Sequence, residues 1–393
     1  MKAIFSDRIH DVPRSFIREI LKASLDAEVI SFAGGLPNRQ FFPVDSLQAA
    51  ANSVFKEQGA GCLQYSNSEG LIELRQFIAD RYAREQDIKV SADNILITNG
   101  SQQALDLIAK ITINDGDQVI IEEPGYLGAI QALTFYRPEY MAVRVSETGM
   151  DCQQLNDFCK AGSPKLMYTV PNFQNPSGIT YSEQNRKEIA GIVSGKPLLL
   201  VEDDPYGALR FSGEPVPSFY HYLPEQTLLL GSFSKVVVPG FRLGWVVAPA
   251  AVFEKLLIAK QAADLHTCNF TQYIIHRFLQ DNDLDEHIKT INRVYGKQCR
   301  AMLDAIDANF PEEVTYTRPQ GGMFLWGELP DRLSAMELFE LAVKKQVVFV
   351  PGDPFYTQRR RASTFRLNFS CVDETLAQEG IKRLGEAIKV MIH

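Results

Sequence analysis

Apolar positions along the chain follow two rhythms, and the switch between them divides it. Between residues 13 and 26 they fall at Phe16, Ile17, Ile20, Leu21 and Leu25, the spacing of one helix face, with Pro13 opening the helix. A short strand, Ile30-Ser31-Phe32, runs into the turn Gly34-Gly35-Leu36-Pro37. Paired glycines let backbone approach a ligand closely and equally serve any tight turn. Helices over about 44–58 and 71–86 flank a loop at 63–70. From Asn94 the texture changes. Continuous apolar runs at 95–98, 118–122, 140–145, 165–170 and 198–203 alternate with helical segments from 101 onward and at 126–135, 151–160 and 182–193. Runs at 227–230 and 245–248 bring the strands to seven. Apolar strands alternating with helices predict an α/β fold, a mostly parallel sheet covered on both faces. Such sheets bind ligands beyond the carboxyl ends of their strands. Helical spacing then dominates at 250–263, 271–279 and 284–309, where Pro311 stops it. Strands at 323–329, 347–350 and 364–369, with helices at 335–345 and 373–391, predict a smaller α+β domain to which the N-terminal residues return. There is no internal repeat, low-complexity tract or linker.

The polar residues at the expected strand ends carry the candidate chemistry. The run Ser232-Phe233-Ser234-Lys235 is followed by an apolar loop, Pro239-Gly240 and Arg242. A lysine in apolar surroundings loses solvation of its ammonium form, so its pKa falls and its free amine becomes a nucleophile. Hydroxyls and an arginine beside it suit a phosphate. A Schiff-base lysine beside a phosphate anchor is what pyridoxal phosphate (PLP) chemistry needs, and a surface loop with two ordinary cations is the plain alternative. Gly100-Ser101-Gln102 opens a helix, so Ser101 either adds a hydroxyl to an anion seat or merely caps the helix. Tyr126, after Pro124-Gly125, could stack on a planar ring or occupy a turn. Asn175, before Pro176, could donate to a ring oxygen or punctuate a β-turn. Asp203, in Glu202-Asp203-Asp204-Pro205-Tyr206, ends a buried strand and needs a cation; a protonated pyridine nitrogen is one, with Tyr206 beside the phenolic oxygen. A helix cap or a metal site is the alternative there, and no histidine lies near to support a metal.

Composition narrows the field. Of 393 residues 45% are hydrophobic and 22% charged, ordinary for a globular protein of two domains. A net charge of −8, with no basic half, argues against nucleic acid as a partner. The run Arg359-Arg360-Arg361 reads as a solvated loop. The six cysteines form no Cys-x-x-Cys pair, which disfavours a zinc site or a disulfide framework; Cys152 and Cys159 fall on one helix as packing residues. The N-terminus turns polar at once and no apolar stretch has the length of a membrane span, so a cytoplasmic protein with no membrane partner is expected.

Six motifs, in order along nearly the whole chain, carry a resemblance. They are Gly100-Ser101-Gln102-Gln103, Asn175-Pro176-Ser177-Gly178, Asp203-Asp204-Pro205-Tyr206, Ser232-Phe233-Ser234-Lys235, Arg242-Leu243-Gly244 and Phe365-Arg366-Leu367. Together they resemble the PLP-dependent aminotransferases of fold type I, the aspartate aminotransferase superfamily. Within it the chain is similar to the 2-aminoadipate and kynurenine aminotransferase group, through Ser31–Pro37, Leu63-Gln64-Tyr65-Ser66, Ala263-Asp264-Leu265-His266-Thr267 and Gly321-Gly322-Met323-Phe324-Leu325-Trp326.

The resemblance implies three parts: a segment 1–43 serving the small domain and an active-site lid, a PLP-binding domain 44–283 with a mostly parallel seven-stranded sheet, and a small domain 284–393. It implies that Lys235 forms the Schiff base and moves the proton, by way of a pyridoxamine phosphate intermediate. Asp203 would pair with the pyridine nitrogen, Asn175 and Tyr206 with the ring oxygen, and Tyr126 would stack on the ring. Ser101, Gln102, Ser232, Ser234 and Arg242 would hold the phosphate, with Tyr65 reaching in from the second subunit of a homodimer. Arg366 would grip the substrate α-carboxylate beside Asn175, and Gly35 would let the N-terminal segment close. Arg18 looks like the arginine that meets a distal carboxylate, or is a surface cation in a pair with Glu19. The expected reaction moves an amino group from an acidic, aromatic or long-chain L-amino acid to 2-oxoglutarate. A C–S β-lyase, a decarboxylase or a non-enzymatic PLP-based sensor are the rivals on this scaffold. Related domains follow a winged helix in transcription regulators; so little chain precedes the first helix here that no such module is expected.

Overall fold

The apolar runs form the strands expected of them. The structure is a computed structural model that describes residues 4–12, 20, 28–358 and 361–392. Arg18 and nearly all of the helix expected over 13–26 lie outside the described residues. In chain order the strands are β1 (Ile30–Ser31), β2 (Ile95–Thr98), β3 (Gln118–Glu123), β4 (Glu139–Ser146), β5 (Gly149–Met150), β6 (Leu166–Thr169), β7 (Leu199–Asp203), β8 (Thr227–Ser232) and β9 (Gly244–Val247).

Strands β2 to β9 make one sheet of eight, in the order β2-β9-β8-β7-β6-β3-β4-β5. From β8 to β4 neighbours run parallel, and β9 runs antiparallel to both β8 and β2. The seven expected strands are all present. The eighth, β5, is two residues turned back along the end of β4, with Val145 opposite Met150. Two residues leave no period in a sequence, which is why it escaped the pattern.

Strands of a sheet covered on both faces read as near-continuous apolar runs. β2, β6 and β8 are buried along their whole length. Alternate residues serve opposite layers. Ile120, Met167 and Leu200 pack with Leu155 and Ile189, from the helices Cys152–Ala161 and Glu183–Val193. Their neighbours Ile121, Tyr168 and Val201 pack with Leu105 and Ile108 of the helix Ser101–Thr112 and Leu133 of the helix Leu127–Thr134.

The C-terminal third adds β10 (Thr315–Tyr316), β11 (Phe324–Glu328), β12 (Val347–Val348), β13 (Val350–Pro351) and β14 (Thr364–Asn368). Antiparallel pairing gives the order β10-β11-β14-β13. β12 pairs with β1 instead, and Asn368 N donates to Phe32 O at 2.8 Å, so the N-terminal segment does return to this layer. A 26-residue helix, Leu284–Asn309, leads into it. Ile288, Ile291, Tyr295, Cys299, Met302 and Ile306 make its buried stripe at steps of three and four. Asp283 caps its start by accepting from the amides of Asp285 and Glu286. Of the arginine run, Arg361 is exposed and pairs with Glu337, as a solvated loop would; Arg359 and Arg360 lie outside the described residues.

One edge of the large sheet collects the chemistry. Asp203 and Ser232 end β7 and β8 there, while the turns at 99–103 and 124–126 leave β2 and β3. Because β9 is antiparallel, its first residue comes to that edge, with Gly244 opposite both Thr98 and Ser232. Arg242, two residues earlier, is thereby delivered beside Asn99 and Gly100.

Candidate active site

The turn from β2 into the helix Ser101–Thr112 is shaped as an anion seat. Gly100, not Ser101, occupies the N-cap, with φ +74° and no side-chain cap; the capping alternative for Ser101 falls away. A Cβ at Gly100 would collide with the Arg242 guanidinium, and one at Gly244 would stand 2.8 Å from the Ser101 amide nitrogen. Both glycines are required by close approach. The first amides of a helix have no partner within it and carry the positive end of its dipole. Ser101 begins that helix, and Arg242 donates to Asn99 O at 3.4 Å on the rim. Ser232 Oγ accepts from the Ser234 amide at 3.0 Å, and Gln102 Nε2 donates to Gly128 O at 2.7 Å. Hydroxyls, amides and a guanidinium at one point suit a phosphate.

Three acids in a row have three different surroundings. Glu202 lies 3.8 Å from the buried Arg186 and accepts from Ser218 Oγ and the Phe219 amide. Asp204 holds a turn by accepting from the Gly207 amide at 2.8 Å. Asp203 is 2% exposed; one oxygen accepts from Tyr168 Oη at 2.8 Å, and the other is buried with no partner. Burial pushes its carboxyl up to about 7, against the pull of the Tyr168 hydrogen bond. A buried carboxylate oxygen with nothing to pair is a seat for a cation. A protonated pyridine nitrogen fits it, so the residues present fit pyridoxal phosphate.

Asn175 and Tyr206 meet nearby, with Asn175 Nδ2 donating to Tyr206 Oη at 3.5 Å. The loop bearing Asn175 is fixed from below by Glu122, which sequence reasoning left without a role. Glu122 Oε1 accepts from Thr169, Tyr181 and the Val170 amide, and its Oε2 accepts from Gln174 Nε2 at 2.9 Å. Gln174 Oε1 in turn accepts from the amide and hydroxyl of Ser177. Tyr126 is half-buried, and the absence of a side chain at Gly128 lets its ring lie close over the following helix turn.

Lys235 and Arg366 complete the pocket from opposite layers. Lys235 Nζ donates to Gly35 O at 3.0 Å. Burial, reinforced by the charges of Arg366 and Arg242, holds its amine down to about 8. Arg366, at the centre of the small sheet opposite Trp326, is 1% exposed. It donates to Asn175 Oδ1 and to Ala33 O, both at 2.8 Å, and its Nε is buried without a partner. Its guanidinium lies over Phe324 at 4.3 Å and Phe355 at 5.3 Å from the ring centroids. Burial draws its pKa down to about 10. A Cβ at Gly35 would lie 3.4 Å from the Phe324 ring and 3.8 Å from Arg366 Nη2, so that glycine faces the same pocket.

The lysine value sets a pH dependence. Below about 8 the cofactor-free Lys235 is protonated; above it the free amine dominates, where a solvated lysine would need pH above about 10. The rate at which the cofactor-free protein captures pyridoxal phosphate therefore rises through pH 8 and levels off above it. A rate still climbing at pH 10 in stopped-flow absorbance would contradict this.

Not every expected site residue is gathered by this chain alone. Tyr65 is 79% exposed; its ring stands edge-on to His266, 5.8 Å away. Arg18 lies outside the described residues. Tyr168, Phe324, Phe355 and Glu122 were missed: Phe324 stood in a quoted motif without a role, and the others gave no local signal. A cleft of about 970 Å³ lies elsewhere, lined by Glu123, Arg144, Gly178, Thr317, Trp326 and Tyr356; convergent side chains, not volume, locate the chemistry.

Known proteins give the family. A sequence model of the family described as aminotransferase class I and II matches residues 28–384. The aromatic-amino-acid aminotransferase 1 of Thermococcus litoralis is 41% identical over 98% of this chain and 94% of its own. The crystal structure of the multiple substrate aminotransferase of Thermococcus profundus superposes with a TM-score of 0.95 at 39% identity, covering 100% of this chain and 98% of that one. The α-aminoadipate aminotransferase of Thermus thermophilus, complexed with N-(5'-phosphopyridoxyl)-L-leucine, gives 0.92 at 39% identity over the same shares. An amine of lowered pKa, a buried carboxylate with one unpaired oxygen and a phosphate-shaped turn at one sheet edge thus stand in a chain that belongs to the class I and II aminotransferases, enzymes that work with pyridoxal 5′-phosphate.

Proposed function

We propose that this aminotransferase moves the amino group of an acidic, aromatic or long-chain aliphatic L-amino acid to 2-oxoglutarate. The observation that carries the proposal is Arg366: a buried guanidinium in the same pocket as the low-pKa amine of Lys235, with its Nε unpaired. It is a seat for an α-carboxylate next to a base. The breadth of donors is supported by the names of the relatives, one aromatic, one of multiple substrates, and one aminoadipate enzyme holding a leucine adduct.

Bound pyridoxal phosphate supplies an electron sink that lets the substrate Cα–H bond break. The chain's own residues do the rest. Ser101, Gln102, Ser232, Ser234 and Arg242 hold the phosphate. Asp203, held by Tyr168, would keep the pyridine nitrogen protonated. Asn175 and Tyr206 would bond the phenolic oxygen, and Tyr126 would pack on the ring. Lys235 would provide the attacking amine and would carry the proton taken from the substrate Cα, delivering it to the cofactor and not back to Cα. Arg366 orients the substrate so that this hydrogen faces Lys235, and Gly35 leaves room beside it. In this proposal Tyr65 reaches the phosphate of a second copy in a homodimer, which its exposure supports. Arg18 would meet a distal carboxylate. We place the domain boundaries at 43/44 and 283/284, and the enzyme in the cytoplasm.

Arg366→Ala is expected to raise KM for every donor by about 10- to 100-fold, the worth of one or two charge-assisted hydrogen bonds. An unchanged KM would remove Arg366 from the carboxylate seat. The proposal as a whole is tested by a panel of L-amino acids with 2-oxoglutarate, read as glutamate formed. Acidic, aromatic and long aliphatic donors are expected to lead; turnover confined to small polar donors would overturn the substrate class.

A further inference from the structure

Lys260 has no exposed surface, and none of the roles above uses it. It projects from the last turns of the helix Ala250–Asp264. Its ammonium donates to Gln103 Oε1 at 2.7 Å and Thr267 Oγ1 at 3.0 Å, and stands 2.8 Å from both oxygens of Asp264. Asp264 accepts from Asn99 Nδ2 at 2.6 Å and Gln103 Nε2 at 2.7 Å. Gln103 Oε1 also accepts from the Asn99 amide at 2.8 Å. Thr267 Oγ1 reaches Ile97 O, near the end of β2. The network therefore closes on the two residues that bracket Gly100-Ser101-Gln102.

Lys260 is fully buried and Asp264 partly so, and an ion pair withdrawn from water in this way is a poor source of stability. Removing two charges from water costs about what their attraction returns, and apolar residues of the same volume often serve as well or better. Direction is what the pair offers and apolar residues do not. The Asp264 carboxylate fixes the Asn99 side chain, while the Asn99 carbonyl accepts from Arg242. From its other side the turn is packed by Gly244, whose Cα leaves no room for a Cβ. Gly100 at φ +74° is free to adopt several conformations unless its neighbours restrain it. Amides preorganised toward a charged group cost no reorganisation when that group arrives.

We propose that Lys260 and Asp264 are positioning residues for the cofactor's phosphate, clamping Asn99 and Gln103 so that the turn between them keeps its anion-receiving shape. The proposal rests on the reading of Gly100-Ser101-Gln102 as the phosphate seat. It makes a claim that general destabilisation does not: losing the clamp weakens pyridoxal phosphate but not pyridoxal, which lacks the phosphate.

The test titrates the full-length enzyme, stripped of cofactor, with each compound and follows visible absorbance. Lys260→Met is expected to weaken pyridoxal phosphate at least about tenfold, the scale of one lost charge-assisted hydrogen bond, with pyridoxal within about twofold of the parent. Asp264→Asn, which preserves volume, is expected to show the same selective loss and decides the matter if Lys260→Met does not fold. Equal losses for both compounds, or none for either, overturn the clamp. Arg242→Ala and Ser101→Ala separate the two readings. If they shift the ratio of affinities and the clamp variants do not, only the clamp fails; if they leave it unchanged, the phosphate seat fails and the clamp with it.

Discussion

Lys235→Ala is expected to lose at least about 10⁴-fold in kcat, since in the proposed function one side chain supplies both the attacking amine and the proton carrier. The structure supports this on two grounds. Burial and the charges of Arg366 and Arg242 lower its amine to about 8, and its Nζ already sits in a defined place against Gly35 O. The variant should also lack the visible absorbance of lysine-bound cofactor, while the phosphate seat, which does not involve the Lys235 side chain, still binds pyridoxal phosphate. Those two readouts separate loss of chemistry from loss of the pocket. Turnover within about tenfold of the parent would remove Lys235 from its role.

Asp203→Asn is expected to cost roughly 10²- to 10³-fold in kcat, comparable to removing one preorganised electrostatic partner from a buried site. In the cofactor-free chain this carboxyl is held near 7 because it is buried with one oxygen unpaired. A cation at that oxygen favours the charged form, and the charged form favours a protonated pyridine nitrogen. Asparagine keeps the shape and the Tyr168 contact but cannot stabilise that charge. Stopped-flow analysis should place the loss in the step that breaks the Cα–H bond, with substrate binding little changed. A loss confined to KM would mean that Asp203 shapes the pocket and does not tune the cofactor.

Much of the site was legible because each residue sits beside a local signal. Asp203 ends an apolar run, Lys235 follows one, Asn175 precedes a proline, and Gly100 stands between a strand and a helix. These features are fixed within a few residues of sequence. The supporting groups were not legible, because they depend on pairings between distant segments. Tyr168 reaches Asp203 from the neighbouring strand, 35 residues away. Arg366 meets Asn175 across 191 residues, and its aromatic platform comes from two different elements. Lys260 looks in the sequence like any lysine on a helix, and only the packing of that helix on the 99–103 turn buries it. The same limit explains β5, whose two residues carry no period, and the shift of the N-cap from Ser101 to Gly100, which φ decides and composition does not.

The central claim is that Lys235, Asp203 and Arg366 make one pocket that transfers an amino group and keeps it. The most direct measurement mixes the pyridoxal phosphate form of the enzyme with an L-amino acid donor and no 2-oxo acid acceptor, then counts products. One equivalent of 2-oxo acid per site, no ammonia, and recovery of the starting absorbance when 2-oxoglutarate is added are expected. Continuous release of ammonia, or of carbon dioxide, without an acceptor would contradict the claim.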